Sequence, residues 1–345
     1  MPRGAVASLG AALLFGAGAP LAKLLLAQTS PWLLAALLYL GSGLGLAALR
    51  WIRRAPRPRL ATGEAKWLGG AVLAGGVAGP VLLMLGLAAM PASTASLLLN
   101  AEAVFTALLA WIVFRENVDR RVALGMLAIV AGGALLAWPG QVDRADAWPA
   151  LLVVAACLAW AIDNNLTRKV SLADASWIAM VKGLAAGATN LVLALLLGAS
   201  WPALPVVLAA GLVGFASYGA SLTLFVIGLR ELGTARTGAY FSVAPFFGAL
   251  LAILLLGEPA TWPLLAAGAL MAVGVALHLS ERHEHRHRHV ALEHSHEHVH
   301  DGDPHHDHAH EPPVAPGTRH SHAHRHEPME HSHPHYPDAH HQHGH

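Results

Sequence analysis

Two sets of residues in this chain could do chemistry, and they do not overlap. The first is a scatter of charged and amide side chains inside apolar runs: Lys23, Asn100, Glu102, the triplet Asp163-Asn164-Asn165, and Lys182. A charge in hydrocarbon costs a few kcal/mol or more, so each should line an interior cavity, pair with another charge, or mark a solute or ion path. The second set is histidine. All 24 histidines lie at or after residue 278, 23 of them within 283–345, mostly in His-x-His steps such as HEHRHRH and HSHEHVH. Imidazole is the commonest side-chain ligand for nickel, zinc, cobalt and copper.

Glu102 sits in the middle of its apolar run, with no interface in reach, and is expected to pair with a lysine or carry a coupling proton in a cavity. Lys23 follows Gly16, Gly18 and Pro20 and lies a few residues from a run's end, so snorkelling competes with a role in transport. Asp163, Asn164 and Asn165 are either a hydrogen-bonding floor for a polar solute or a solvated helix end leading to Arg168 and Lys169. Lys182 is the expected positive partner of Asp163 or Glu102. Asn190 reads as an interhelical hydrogen bond, and Tyr218 and Tyr240 as cavity-lining or packing residues. Glu116 and Glu258 end two runs at opposite membrane faces, which suits capping and loop ties better than a shared site.

In the tail the candidate metal ligands are His283, His285, His287, His289, His294, His296, His298, His300, His305, His306, His308, His310, His320, His322, His324 and His326. Residues 281–345 also hold 11 carboxylates against five arginines and seven prolines. That composition predicts a disordered segment that wraps several ions without a fixed ligand set.

The elements that must position the first set are membrane helices. Charged residues make up only 12% of the chain and the mean hydropathy is +0.48 despite the polar tail, which no soluble domain of this size could accommodate. The apolar runs are long and continuous, so the fold class is an all-α polytopic membrane protein and not a barrel. Ten spans are predicted, at about 5–26, 31–49, 67–89, 93–114, 120–138, 148–167, 174–197, 204–227, 234–256 and 263–279. Basic residues gather in alternate loops, notably Arg50, Arg53, Arg54, Arg57, Arg59 and Lys66, then Arg115, Arg120 and Arg121. The positive-inside rule then puts both termini, and the tail, in the cytoplasm.

A weak internal repeat underlies the spans. EAVFTALLAWIVFRE at 102–116 aligns without gaps on APFFGALLAILLLGE at 244–258, and Lys23 falls opposite Arg168. A repeat of five helices enters the membrane inverted the second time, and such inverted repeats build alternating-access transporters with a site near the midplane. Small residues in spans five and ten (Gly125, Gly132, Gly133, Gly268, Gly274) suit close packing, in a scaffold or a homodimer.

These features, with ARTGAYFSVAPFFGALLAILLLGEP at 235–259, resemble the EamA-type carriers of the drug/metabolite transporter superfamily. The resemblance covers about residues 5–279. It implies two EamA repeats, 5–138 and 148–279, followed by the tail at 281–345, in a multi-pass protein of a bacterial inner membrane. The superfamily moves amino acids, metabolites, nucleotide sugars and drugs, so the implied activity is a secondary-active permease, an exporter, for a small organic solute. The family often carries proline one residue after the Glu102 position. Pro245 keeps it in the second repeat, but Ala103 replaces it in the first, so a helix break there needs another cause.

No nucleotide-binding loop, nucleophile–base pair or catalytic metal motif is present, and the lone Cys157 excludes an intrachain disulfide. The expected partners are a solute, the bilayer and transition-metal ions, with no nucleic acid, no required cofactor and no enzymatic activity. Two alternatives compete: a divalent metal (Ni, Co or Zn) transporter fed by the tail, and a membrane-tethered metal buffer or sensor. The first lacks ligands in the core, and the second would need only one span.

Overall fold

The computed structural model describes residues 3–55, 63–114, 120–137, 147–168, 170, 174–225, 227–228, 237, 240–279, 284–288, 292–299, 319–326 and 330–334. It divides into a helical unit, Met1–Glu281, and a tail unit, Arg282–His345. Glu116, Arg57, Arg59 and, in the tail, His283, His289, His300, His305, His306, His308 and His310 lie outside the described residues.

The helical unit contains α1 (Arg3–Leu26), α2 (Pro31–Ile52), α3 (Glu64–Ala88), α4 (Ala92–Leu98), α5 (Ala101–Phe114), α6 (Arg120–Ala137), α7 (Trp148–Arg168), α8 (Ala175–Leu196), α9 (Leu204–Phe225), α10 (Ala244–Leu256) and α11 (Trp262–Leu279). Among the described residues seven helical segments are long and apolar enough to cross a membrane, the α4–α5 stretch counting as one, and α10 and the Trp262–Leu277 stretch are shorter apolar helices. Their outward faces carry exposed leucines, valines and tryptophans, as at Leu196, Leu204, Leu254 and Trp262. In a polytopic protein these faces meet lipid, so apolar residues lie both inside and outside the bundle.

Helix packing is set by small residues. Gly43 of α2 and Gly183 of α8 meet backbone to backbone, where a Cβ on either would lie 2.6–2.7 Å from the other helix's main chain. Gly214 of α9 sits as closely against the Leu38 carbonyl. Such contacts let apolar helices associate through dispersion where no hydrophobic force acts between them. Gly132 of α6 faces Met271 and Ala267 of α11, and Gly274 of α11 faces Gly125 and Ile129 of α6. These two glycine faces are therefore used within the chain, as scaffold.

Two helices contain a π-helical turn, at Val72–Ala78 in α3 and at Phe215–Ala220 in α9. The alignment that sets Glu102 opposite Ala244 sets 72–78 opposite 214–220. Among the described residues the helical path is also interrupted at Leu99–Asn100 before α5 and at Ser242–Val243 before α10. Interruptions therefore recur at corresponding places in the two halves of the chain.

Part of the tail lies among the described residues. Its described stretches form β1 (Glu284–Arg288), β2 (Leu292–Val299), β3 (Arg319–His326) and β4 (Glu330–Pro334), with β1 antiparallel to β4 and β2 antiparallel to β3. The His-x-His alternation has the period of a strand. The register sets His285 opposite His333, His287 opposite His331, His294 opposite His324, His296 opposite His322 and His298 opposite His320.

Candidate functional site

The site forms where the α4–α5 break meets α7. Asn100 makes the break. Its side-chain amide donates to the Leu97 carbonyl at 2.9 Å, and the following amides tighten to i−3 acceptors, Glu102 N–H to Leu99 O at 3.1 Å and Ala103 N–H to Asn100 O at 3.2 Å. A side-chain amide that takes a local carbonyl competes with the α-helical ladder, so the first half needs no proline here. In the second half Pro245 lies at the start of α10, just after the corresponding break. The Cys157 thiol of α7 faces the carbonyls of Leu98 and Leu99 at 3.6 and 3.9 Å.

The break releases Glu102 at the start of α5, where its carboxylate accepts from the Asn164 side-chain amide at 2.7 Å. Asn164 is exposed and Glu102 half-buried, so this pair is reachable from the space beside α5 and α7. One residue earlier the environment changes. Asp163 points into the bundle and pairs with Lys182 of α8 through both carboxylate oxygens, at 2.5 and 2.6 Å, with side-chain exposures of 8% and 13%. The Thr167 hydroxyl donates to the same carboxylate at 2.8 Å. Asn165 turns back to donate to the Ala161 carbonyl at 2.8 Å. The triplet thus splits by helical geometry, successive residues pointing about 100° apart.

The ion pair leans on the π turn of α3. Gly75 passes so close to the Asp163 carboxylate that a Cβ there would overlap it. The wide turn also frees carbonyls. The Gly79 N–H bonds Ala74 O, five residues back, so Gly75 O is released to accept from the Tyr39 hydroxyl at 2.8 Å and the Trp160 indole at 2.9 Å. Pro80 has no N–H for the Gly76 carbonyl, and Asn190 of α8 donates there instead at 3.0 Å. Tyr39, Trp160 and Asn190 thereby hold a π turn, a feature that recurs at functional sites. The opportunity was visible in Gly75-Gly76 and Pro80; the partners were not.

Tyr218, in the π turn of α9, packs its ring 5.4 Å from Tyr39 and 6.0 Å edge-on from Phe15. Tyr240 is half-buried in the segment before α10. Lys23 lies elsewhere, at the end of the bundle holding the α3–α4 turn. Its ammonium donates to the carbonyls of Leu87 at 2.6 Å, Ala88 at 3.2 Å and Met90 at 3.0 Å, capping the C-terminus of α3. The Glu258 carboxylate holds the other side of the same turn, accepting from the amides of Ala92 at 2.7 Å and Ser93 at 2.8 Å. A cation at a helix C-terminus and an anion at a helix N-terminus each complement the local dipole. Lys23 and Glu258, far apart in the sequence, therefore clamp one turn.

Among the described residues no group of three or more His, Cys, Asp or Glu side chains is arranged to hold a metal ion.

This arrangement belongs to a known kind of protein. The EamA-like transporter family matches the chain twice, over residues 2–138 and 147–280. The chain belongs to the EamA-like transporter family. An uncharacterized transporter of Methanothermobacter thermautotrophicus is 29% identical over 294 residues, covering 79% of this chain and 84% of that protein. A solved crystal structure has the same fold at a TM-score of 0.60 and 20% identity, over 79% of this chain and 95% of its own. The protein is accordingly a multi-pass membrane transporter, which gives the buried polar cluster a reason to exist.

Proposed function

We propose that the chain is a secondary-active exporter of a small organic solute, working by alternating access between two inverted five-helix repeats in the inner membrane, with both termini cytoplasmic. The observation that carries this reading is the paired interruption of helices: π turns at Val72–Ala78 and Phe215–Ala220, and breaks at Leu99–Asn100 and Ser242–Val243. Discontinuous helices at corresponding places in two halves are where transporters of this architecture bind solute. Glu102 and Asn164 lie at the first break and supply a carboxylate and an amide to a polar solute or a coupling proton. Asp163 and Lys182 position α7 against α8 behind them. The Lys23 and Glu258 clamp closes the end where the α3–α4 turn lies, so solute release on that side requires it to part. The histidine-rich tail binds transition-metal ions as an accessory to transport. Its cross-strand histidine pairs support this, while the absence of histidine before residue 278 argues against a metal path through the core.

The test is a substrate screen in proteoliposomes, comparing the native chain with Glu102→Gln. The variant should insert and express normally but lose at least ten-fold in solute flux. Unimpaired flux with an unchanged pH dependence would remove Glu102 from the transport path.

A further inference from the structure

At the end of the bundle opposite the Lys23 clamp, α2 finishes in an unusual way. The Arg54 amide bonds Trp51 O at 3.1 Å and the Ala55 amide bonds Arg50 O at 3.0 Å. This is the Schellman pattern, whose penultimate residue adopts a left-handed backbone and is usually glycine. Here it is Arg54, at φ 49°, the one non-glycine residue with positive φ among those described. A β-carbon in that conformation is strained, and such strain at a non-glycine residue points to a use for the side chain.

The Arg54 side chain borders a cleft of about 790 Å³ between the end of α2 and the start of α8. Arg50 forms the polar wall. Its guanidinium is anchored by Asp174 at 2.7 Å and Ser176 at 2.5 Å, and Asp174 also caps α8. Because Asp174 offsets Arg50, the excess positive charge among the described lining residues comes from Arg54. The remaining wall is apolar, made by Trp51, Ile52, Trp177 and Met180, and Trp51 is 82% exposed. A cleft with cationic groups at the helix ends and indoles beside them has the layout of the bilayer's headgroup boundary.

We propose that this cleft seats an anionic phospholipid, its phosphate at Arg54 beside Arg50 and its glycerol and upper acyl chain against Trp51, Ile52, Trp177 and Met180. The lipid would bridge α2 and α8, the two helices whose glycines pack backbone to backbone. Charge complementarity selects an anionic headgroup over a zwitterionic one, and the apolar wall selects a lipid over a free anion. The proposal rests on the multi-pass fold, and neither the transported solute nor the direction of transport enters it.

The test uses purified full-length protein in uncharged detergent, with native mass spectrometry and thermal melting. The probes are phosphatidylglycerol, phosphatidylcholine and glycerol 3-phosphate. Phosphatidylglycerol should be retained and should raise the melting temperature, while the other two at equal concentration do neither. The decisive variant is Arg54→Gly, because glycine suits the left-handed position and the lipid-free protein should melt no lower than the native chain. Its retention of phosphatidylglycerol should fall about five-fold, the worth of one basic residue at an anionic surface. Equal retention by Arg54→Gly, or equal retention of phosphatidylcholine by the native chain, would overturn the proposal. Stabilisation by glycerol 3-phosphate alone would also overturn it, by making the site one for a free anion.

Discussion

Removing one partner of the Asp163–Lys182 pair should cost far more than removing both. The pair is almost closed to solvent and held through both carboxylate oxygens. Breaking such a pair leaves an uncompensated charge and typically costs about 3–5 kcal/mol, whereas replacing both members with neutral groups of similar shape is close to neutral. The two single variants should differ. Lys182→Met leaves an Asp163 carboxylate that still accepts the Thr167 hydroxyl, a bond worth about 1 kcal/mol. Asp163→Leu leaves the Lys182 ammonium with no acceptor at that position, keeping only the longer contact to Thr167 at 3.3 Å. Asp163→Leu should therefore be the more destabilising by about 1 kcal/mol, and the double variant should recover more than half of either loss. With about 2–4 °C per kcal/mol for a domain of a few hundred residues, the singles should melt roughly 6–20 °C low. The assay is thermal unfolding in detergent, read by tryptophan fluorescence over the four-member cycle. Additive losses in the double variant would refute the coupling, and single variants within 1–2 °C of the native chain would show that the pair is not buried in the working protein.

The clamp predicts that Glu258→Gln loosens the α3–α4 turn. Replacing a charged acceptor of two backbone amides costs about 1.5–3 kcal/mol, so a cysteine placed at Met90 should react with an impermeant maleimide roughly ten-fold faster; an unchanged rate removes the restraint. Native Cys157 is buried and should not compete. Gly75→Ala should lower the melting temperature and disturb the ion pair, because its new Cβ overlaps the Asp163 carboxylate. Gly69→Ala in the same helix, with open space around it, should not. The tail should bind more than one equivalent of Ni²⁺ or Zn²⁺ in a broad titration. Histidine near its ordinary pKa of about 6.5 coordinates only when neutral, so binding should be intact above neutral pH and lost as pH falls through about 6. Calorimetry at pH 7.5 and 5.5 checks this. The same measurement on a chain truncated after Ser280 should give no such binding, while that chain still inserts and transports.

The membrane class and the seven long apolar helices were legible because each rests on composition and on runs of apolar residues, which are local properties. The ends of α2, α8 and α9 have local signals of the same kind: Ser30 caps α2, Asp174 caps α8, and Pro31 and Pro205 open helices, whereas the span expected from 234 has its helix from Ala244. The charges in apolar runs were equally visible, since any ion in hydrocarbon stands out. What each charge does was not local. Asp163, Asn164 and Asn165 are consecutive, yet one is buried on Lys182, one reaches Glu102 and one folds back on its own helix. Lys23 and Glu258 are far apart in the chain and meet on a turn that belongs to neither's helix. With Ala103 where the family often has proline, a break before Glu102 needed another cause, and it comes from Asn100 taking the Leu97 carbonyl. In the tail, the strand period is written in every His-x-His step, and register decides which stretches pair. Composition and periodicity set which segments enter the membrane, since transfer free energy sums along a segment. Which side chains share a partner depends on helix rotation and crossing, and here glycines such as Gly43, Gly183 and Gly214 set those by letting backbones touch.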